Sequence, residues 1–417
     1  MSADAEALRA AFDAGLPPTL AALIREAAER ARRQGAPLYL VGGAVRDLLL
    51  GRTPLDIDLV LPGDAPRVAR ALAAAHGLRA TQHDAFGTAT VELAPDLAPP
   101  PPAKPALDFI TARRERYPAP GLLPEVTPAG MNADLARRDF TIHAMALPLG
   151  PDGGPLLDPH GGQADLAAGR IRALHPASFR DDPTRIFRAA RYAARFGFTI
   201  EPQTAGWIAA ALDAGMMDRL SPARIRQELL RTLAEPASKE APAPALDLLA
   251  GMGALAAVDP AFTWDAAWAV DFACTGDPAG RLLLLLDRQP PAARLRIAAR
   301  LGVDPRPLEE LAALADQQME LVGASPAAVA ARLRPFAPAT LDLYRCRAPA
   351  PVAAILARYL DTWRHVRPLL TGDDLRALGI PPGPRYRTIL AALRDARLDG
   401  RVQSREDEIA LVRGLIT

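Results

Sequence analysis

Two aspartates one residue apart follow a glycine pair in residues 38–61, LYLVGGAVRDLLLGRTPLDIDLVL. Asp56 and Asp58 should share one face of a strand, because strand side chains alternate between the two faces. Carboxylates that close repel each other unless a cation lies between them, and Mg²⁺ prefers oxygen ligands. The spacing therefore predicts a divalent-metal site, although a solvated strand edge is an alternative that the pair alone leaves open.

The glycine pair is suited to binding a phosphate. Gly42 and Gly43 allow the backbone to turn tightly into a helix whose first N–H groups can face an anion. Arg46, in the first turn of that helix, can reach the same anion. Such a turn beside metal-binding carboxylates is typical of nucleotidyl transfer, in which Mg²⁺ activates a hydroxyl and Mg²⁺ with arginine neutralises the leaving pyrophosphate.

A second group of polar residues begins at Asp182. Arg185, Arg188, Arg191 and Arg195 follow at intervals of three or four, which places them along one side of a predicted helix. Asp182 and Arg185 are also three positions apart, so they can present an acceptor and a donor side by side. A solvated basic face is the alternative interpretation.

The composition indicates a large core and little net charge. Of 417 residues, 50% are hydrophobic and only 5% aromatic, which favours extended helical layers. A net charge of +1 argues against a protein that coats nucleic acid by bulk electrostatics. Cys274 and Cys346 form no CxxC pair, which argues against a zinc site or a disulfide framework and suits a reducing compartment. With no signal peptide or membrane span apparent, we expect a cytoplasmic protein.

The order of the elements predicts an α/β segment followed by helices. An amphipathic helix is expected at 18–34, and from 38 to about 147 short β-branched runs alternate with helical stretches. Four prolines at 99–102 fit a tip that joins two neighbouring strands. After residue 162 the strand signals stop. Helices are expected at 182–196, 202–214 and 221–234, and a Pro/Ala-rich linker at 236–244.

Six motifs follow one another along the chain: VGGAVRD (41–47), DIDLV (56–60), FGTATVEL (86–93), LARRDFTIHAMAL (135–147), LDPHGGQADLAAGRIR (157–172) and DDPTRIFRAARYAARFGF (181–198). In this order they resemble the class II tRNA nucleotidyltransferase and bacterial poly(A) polymerase family, within the polymerase-β superfamily. The resemblance is close over residues 36–235 and fainter at the C-terminus.

The resemblance implies a fold with an α/β head, in which helices accompany a polymerase-β-like mixed sheet, and an all-α remainder. It divides the chain into an N-terminal helix (1–36), a nucleotidyltransferase head (37–150), a nucleotide-selecting and RNA-binding helical neck (151–235), and a tRNA-binding helical body and tail (236–417).

The resemblance also implies roles for single residues. Asp56 and Asp58 would bind the metals of a two-Mg²⁺ site and, with Asp108 on a neighbouring strand, form the catalytic carboxylates. Gly42, Gly43 and Arg46 would contact the triphosphate, and Arg138 would lie near the nucleotide. His143 stands where the family usually has Asn, and we expect it to be structural.

The family assigns Asp182, Arg185, Arg188 and Arg191 to the pocket of the incoming base. Cytosine and adenine both present an amino donor next to a ring-nitrogen acceptor, whereas guanine and uracil present the reverse. A carboxylate beside a guanidinium therefore accepts C and A and rejects G and U.

We therefore expect a Mg²⁺-dependent transferase that uses CTP and ATP to build CCA on the 3′ end of tRNA, with no membrane or protein partner implied. A CC-adding or A-adding enzyme and a poly(A) polymerase are the alternatives within this class. The alternative of a different class is a catalytically silent RNA-binding relative.

Overall fold

The computed structural model describes residues 4–99, 103–150, 153–234 and 243–416. The chain forms two compact units, Met1–Glu228 with Pro244–Pro260, and Leu229–Ala243 with Ala261–Thr417. Most of the expected linker at 236–244 and of the proline tip at 99–102 lies outside the described residues. The division of the chain into four parts stays a prediction.

The first unit contains a mixed sheet and two small two-stranded sheets. The strands are β1 Tyr39–Val41, β2 Ile57–Leu61, β3 Arg79–His83, β4 Thr88–Glu92, β5 Ala106–Thr111, β6 Arg113–Arg116, β7 Glu125–Pro128, β8 Ala146–Pro148, β9 Arg170–Ile171 and β10 Thr199–Ile200. The six-stranded sheet has the order β3-β4-β5-β2-β1-β8. Within it β2 and β5 run parallel and the other neighbours antiparallel.

The helices up to residue 251 are α1 Ala5–Ala14, α2 Pro18–Arg33, α3 Gly43–Leu49, α4 Ala65–His76, α5 Met131–Ala136, α6 Gly162–Ala167, α7 Ser178–Asp181, α8 Thr184–Phe196, α9 Pro202–Asp213, α10 Pro222–Leu233 and α11 Ala243–Gly251. The apolar sides of α2 and α4 pack against one face of the sheet and bury Leu59 and Phe109 there. A smaller cluster, which includes Val41 and Val60, covers the other face. The sheet is therefore buried on both sides near its centre, which fixes the register of β2 against β5.

The second unit is helical wherever the structure describes a regular element. After residue 260 the helices are α12 Ala269–Phe272, α13 Pro278–Asp287, α14 Pro291–Leu301, α15 Arg306–Gln317, α16 Pro326–Leu333, α17 Pro338–Arg347, α18 Ala350–Asp361, α19 Gly372–Ala377, α20 Pro384–Leu398 and α21 Arg405–Ile416. Across the described ranges, no helix has both the length and the apolar character needed to cross a membrane.

The predicted α/β head followed by helices is confirmed, with local differences. The helix expected at 182–196 begins two residues later, at Thr184, because Asp182 is extended and Pro183 precedes the first helical turn. The expectation that strands end by residue 162 is wrong. The short strands β9 and β10 pair in parallel, and two residues are too few for a recognisable alternation.

The expectation that the two cysteines form no disulfide is also wrong. Cys274 and Cys346 form a disulfide with their Cα atoms 5.8 Å apart. Cys346 lies in α17 and Cys274 just after α12, and these two helices pack together. The 72 positions between the cysteines therefore gave no information about their distance in the folded unit.

Candidate active site

The predicted carboxylates lie on the two central parallel strands. Asp58 on β2 is directly opposite Asp108 on β5, and Asp56 immediately precedes β2. Ile57 and Leu59 are buried on the α2/α4 side of the sheet, so alternation turns Asp58 toward the other face. The structure thus brings Asp58 and Asp108 together on neighbouring strands, as the resemblance implied.

The electrostatics of Asp58 are those of a crowded carboxylate. Burial raises its pKa above the usual range, and the nearby Asp108 and Asp56 carboxylates raise it further. The Arg138 guanidinium and the Lys104 ammonium oppose this shift without cancelling it. A bound divalent cation would remove the repulsion, because it favours the ionised form of each carboxylate.

The donors at this position are compatible with Mg²⁺. Asp56, Asp58 and Asp108 offer only carboxylate oxygens, the ligand type that this hard cation prefers. In the described ranges, no three or more His, Cys, Asp or Glu side chains are gathered into a ready metal cage. In proteins Mg²⁺ usually keeps several waters and takes further oxygens from a substrate phosphate.

The glycine pair makes room for two guanidinium groups. Gly42 has φ +67°, and a Cβ on it would lie 2.7 Å from Nη1 of Arg138. A Cβ on Gly43 would lie 3.4 Å from Nη2 of Arg46. A side chain at position 42 would therefore be strained by the backbone conformation and would also displace Arg138.

Arg46 is buried beneath this turn. Its Nε and Nη2 donate to Oδ1 of Asp47 at 2.9 and 2.7 Å, and its Nη1 lies 2.6 Å from Nε2 of His143. The guanidinium also lies 4.6 Å from the centre of the Phe196 ring, within range of a cation–π contact. Only 4% of Arg46 is exposed, so its donors are committed to the protein in this state.

His143 lies between the glycine turn and α8. Its Nδ1 lies 2.9 Å from Oδ1 of Asp139, and Oδ2 of Asp139 accepts from Nε of Arg188 at 2.7 Å. Burial lowers the pKa of His143 to about 4, although the Asp139 carboxylate opposes the shift. Burial works against ionisation of Asp139 too, but Arg188 and His143 hold the pKa of Asp139 well below its usual range.

Asp182 lies at the entry to α8, and its side chain receives three hydrogen bonds, all on Oδ1. The donors are the backbone N and Oγ1 of Thr184, at 3.1 and 2.7 Å, and Nη2 of Arg224, at 2.7 Å. Its second oxygen takes part in none of the three. Arg185 points elsewhere, donating to Oγ of Ser178 at 2.7 Å and to the Arg137 carbonyl at 2.8 Å.

Three of the four arginines of α8 are directed into the first unit rather than into solvent. Arg185 and Arg191 are each only 5% exposed. Arg191 donates to Oε2 of Glu228 at 2.8 Å, and Arg188 is paired with Asp139. Each of the three is directed at a polar partner inside the first unit, so the alternative of a solvated face is wrong for these three, whereas Arg195 at the end of α8 is exposed.

Several residues of this region were not singled out from the sequence. Asp139 lies within the RRD motif, so the motif itself carried that signal. Arg224 has no local signal, since its partner Asp182 is 42 positions away. Lys104 belongs to no motif, and its one distinguishing feature in the sequence is that it is one of only two lysines.

Two family models match the chain in its first two thirds. Residues 38–172 match the model described as the poly(A) polymerase head domain. Residues 197–264 match the model described as a "Probable RNA and SrmB-binding site of polymerase A".

Relatives resemble the chain over most of its length. The CC-adding tRNA nucleotidyltransferase of Deinococcus radiodurans is 37% identical over 92% of this chain and 91% of its own. The A-adding enzyme of Halalkalibacterium halodurans is 30% identical over 94% of this chain and 91% of its own. The A-adding enzyme of Geobacter sulfurreducens is 32% identical over 95% of this chain, which spans only 47% of that longer protein.

Solved structures agree. An apo CCA-adding enzyme matches with a TM-score of 0.79 and 27% identity, over 95% of this chain and 96% of its own. The Thermotoga maritima CCA-adding enzyme in complex with tRNA matches with a TM-score of 0.73 and 26% identity, over 100% of this chain and 99% of its own.

The fold and its carboxylate-bearing sheet are those of a nucleotidyltransferase, an enzyme. The chain belongs to the tRNA nucleotidyltransferase and poly(A) polymerase family, as the six motifs implied.

Proposed function

We propose that this protein adds C and A to the 3′ end of tRNA and completes the CCA sequence. The RNA 3′-hydroxyl attacks the α-phosphate of CTP or ATP, the bond between the α- and β-phosphates breaks, and pyrophosphate leaves. The observation that carries this proposal is the register that sets Asp58 opposite Asp108, with Asp56 immediately before the same strand.

Each part of the site has a task in this reaction. Asp56 and Asp58, with Asp108 beside them, would hold Mg²⁺, which when bound lowers the pKa of the attacking hydroxyl and neutralises the phosphates. Arg138, packed against Gly42, adds a fixed positive charge next to Asp58. Positive charge there stabilises the negative charge that develops on the phosphates.

Base selection falls to the entry of α8. The uncommitted oxygen of Asp182 can accept the amino group that C and A share. Arg185 supplies the matching donor once it releases the Ser178 hydroxyl. Arg188 and Arg191, held by Asp139 and Glu228, would keep the pocket wall rigid.

The second unit offers a surface for tRNA. A cleft of about 700 Å³ is lined by aromatic and arginine side chains: Arg334, Tyr359, Trp363, Arg364, Arg367, Arg387 and Arg394. Arginine pairs with phosphate and aromatic rings stack on bases, so this composition suits folded RNA. Part of the cleft comes from α20, within the segment that resembles the C-terminus of the family.

A partial adder is the second candidate. It is favoured by the CC-adding enzyme of Deinococcus and the A-adding enzyme of Halalkalibacterium, each matched over 91% of its own length. Complete and partial adders share nucleotide chemistry, so the products must decide between them.

The test supplies tRNAs that end at the discriminator base, at C and at CC, each with one NTP or with CTP and ATP together, and sequences the products. Complete CCA on the first substrate supports the proposal. Extension that stops after CC, or that occurs only on the CC-ended tRNA, identifies a partial adder. A single-stranded oligo(A) primer used as well as tRNA identifies a poly(A) polymerase.

A further inference from the structure

A lysine ammonium group already lies at the carboxylates. Nζ of Lys104 forms an ion pair with Oδ2 of Asp108, and its charge also acts on Asp58. Oδ1 of Asp108 accepts from Oγ1 of Thr90 at 2.6 Å. Each oxygen of Asp108 therefore already has a donor, and a metal ion on Oδ2 would meet the positive charge of the Lys104 ammonium at close range.

The backbone holds Lys104 at this place. Its N–H donates to the carbonyl of Leu55 at 2.9 Å, which fixes the start of the β5 segment beside the residue that precedes Asp56. The side chain is less constrained, because 42% of it is exposed, against 25% for Asp108. The ammonium group can therefore move into solvent without disturbing the core.

The residue type matters as well. The chain contains 49 lysines and arginines, of which only Lys104 and Lys239 are lysines. An arginine fork would hold a carboxylate by two hydrogen bonds, whereas an ammonium is a single point charge on a flexible stem. A lysine is thus the cation that leaves such a site more readily.

We propose that Lys104 is the resident counter-ion of the carboxylate cluster and that it competes with divalent metal for Asp108. The inference rests on the proposed metal site of Asp56 and Asp58. Without metal, Lys104 relieves the repulsion between Asp108 and Asp58. When metal binds, Lys104 is displaced, and the repulsion between the two cations weakens the site for metal.

The first experiment measures Mn²⁺ binding to the full-length protein without nucleotide or RNA, by the EPR signal of free Mn²⁺. Lys104→Met should bind Mn²⁺ about tenfold more tightly than wild type, because one positive charge within several ångströms of the ion is lost. Lys104→Arg should bind no more tightly than wild type. Arg79→Met, which removes an exposed cation paired with Glu92 at the sheet edge, should not change the affinity.

The second experiment uses the small number of lysines. Reductive ¹³C-methylation labels Lys104, Lys239 and the α-amine, and Lys104→Arg assigns the Lys104 signal by its loss. Mg²⁺ should shift that signal in wild type, and Asp58→Asn should suppress the shift. This readout needs neither turnover nor the Met variant.

Equal Mn²⁺ affinity of wild type and Lys104→Met, or a Lys104 signal that saturating Mg²⁺ leaves unchanged, would overturn the inference while the metal site stands. If Arg79→Met raised the Mn²⁺ affinity as much as Lys104→Met, the inference would also be overturned, because the effect would then come from the net charge of the protein. If Asp58→Asn bound Mn²⁺ as well as wild type, the metal site itself, and with it the proposed function, would be lost.

Discussion

Nη1 of Arg46 lies 2.6 Å from Nε2 of His143, a close contact between a cation and a ring nitrogen. Because a guanidinium can only donate, Nε2 must accept, and the ring proton is then on Nδ1, facing Asp139. The imidazole is therefore neutral in the folded protein. It transmits the position of Asp139 to the arginine beneath the glycine turn, which agrees with the structural role expected for His143.

The first prediction concerns pH and stability. The pKa of His143 is about 4 in the folded protein, against an ordinary value of 6.5. Between these values the unfolded chain binds a proton that the folded chain does not. The contribution of His143 to the free energy of unfolding is therefore fully present above pH 6.5 and is lost as the pH falls toward 4. At pH 5 the loss from this group amounts to about 2 kcal/mol.

The measurement is the free energy of unfolding, obtained by urea denaturation at pH 7.5 and at pH 5. His143→Asn has no titrating ring, so between these two pH values its free energy of unfolding should fall by about 2 kcal/mol less than that of wild type. His83→Asn, at an exposed position, is the control and should behave as wild type. A His143→Asn variant with the full wild-type pH dependence would show that the ring can be protonated in place, next to Arg46, Asp139 and Arg188.

The second prediction concerns the carboxylates. Asp58→Asn keeps the size of the side chain but removes the charge that would hold Mg²⁺, so incorporation of CTP and ATP should fall by at least ~10³-fold. tRNA binding, measured by filter retention, should change little. Asp96→Asn, which removes an exposed carboxylate after β4, should retain normal turnover. Near-normal turnover of Asp58→Asn with Mg²⁺ would refute the assignment of the site.

The third prediction concerns base choice. Asp182→Ala should reduce incorporation of C and A while GTP and UTP lose little, since a good paired contact contributes about 1–3 kcal/mol of discrimination. Thr184→Val is the matched control, because it removes one hydrogen bond to Oδ1 and leaves Oδ2 in place. Single-turnover incorporation of each NTP on tRNA ending in C or CC gives the comparison. If Asp182→Ala kept its preference for C and A, selection would reside elsewhere in the pocket.

The fourth prediction concerns the disulfide of the second unit. Closing a loop between residues 72 positions apart restricts the unfolded chain and should add about 4 kcal/mol to the stability of this unit. Reductant should therefore lower the thermal midpoint of wild type, while Cys274→Ser should be equally labile with and without it. Identical melting of oxidised and reduced wild type would mean that the bond contributes nothing.

The sequence predicted the parts of the site that depend on local chemistry. The turn at Gly42 and the alternation around Asp58 are properties of a few neighbouring residues, and both are present in the structure. The pairing of β2 with β5 was not derivable from spacing alone. It followed from the resemblance, because parallel strands joined by a long connection can be arranged in several ways.

The contacts that the sequence did not predict join residues far apart in the chain. Arg46 and His143 are separated by 97 positions, and Asp139 and Arg188 by 49. The first pair depends on the packing of α3 against the turn at Thr141–His143, and the second on the position of α8 beside Asp139; no local pattern encodes either. The disulfide was missed for the same reason, since it depends on the packing of two helices.

The last prediction concerns the cleft of the second unit. Arg364 and Arg387 are exposed in the cleft, and neither has an ion-pair partner in the part of the chain that the structure describes. If each neutralises one tRNA phosphate, replacing both by Ala should weaken tRNA binding and reduce the slope of log affinity against log salt by about 2. Arg376→Ala is the control, since this exposed arginine on α19 is paired with Asp373 and lies outside the cleft. The measurement is tRNA affinity between about 50 and 200 mM KCl, where affinity that comes from phosphate contacts falls steeply with salt. Incorporation into a short acceptor-stem minihelix should be unaffected, so a loss there would place these arginines in catalysis. An unchanged salt slope for the double variant would mean that tRNA does not contact this cleft.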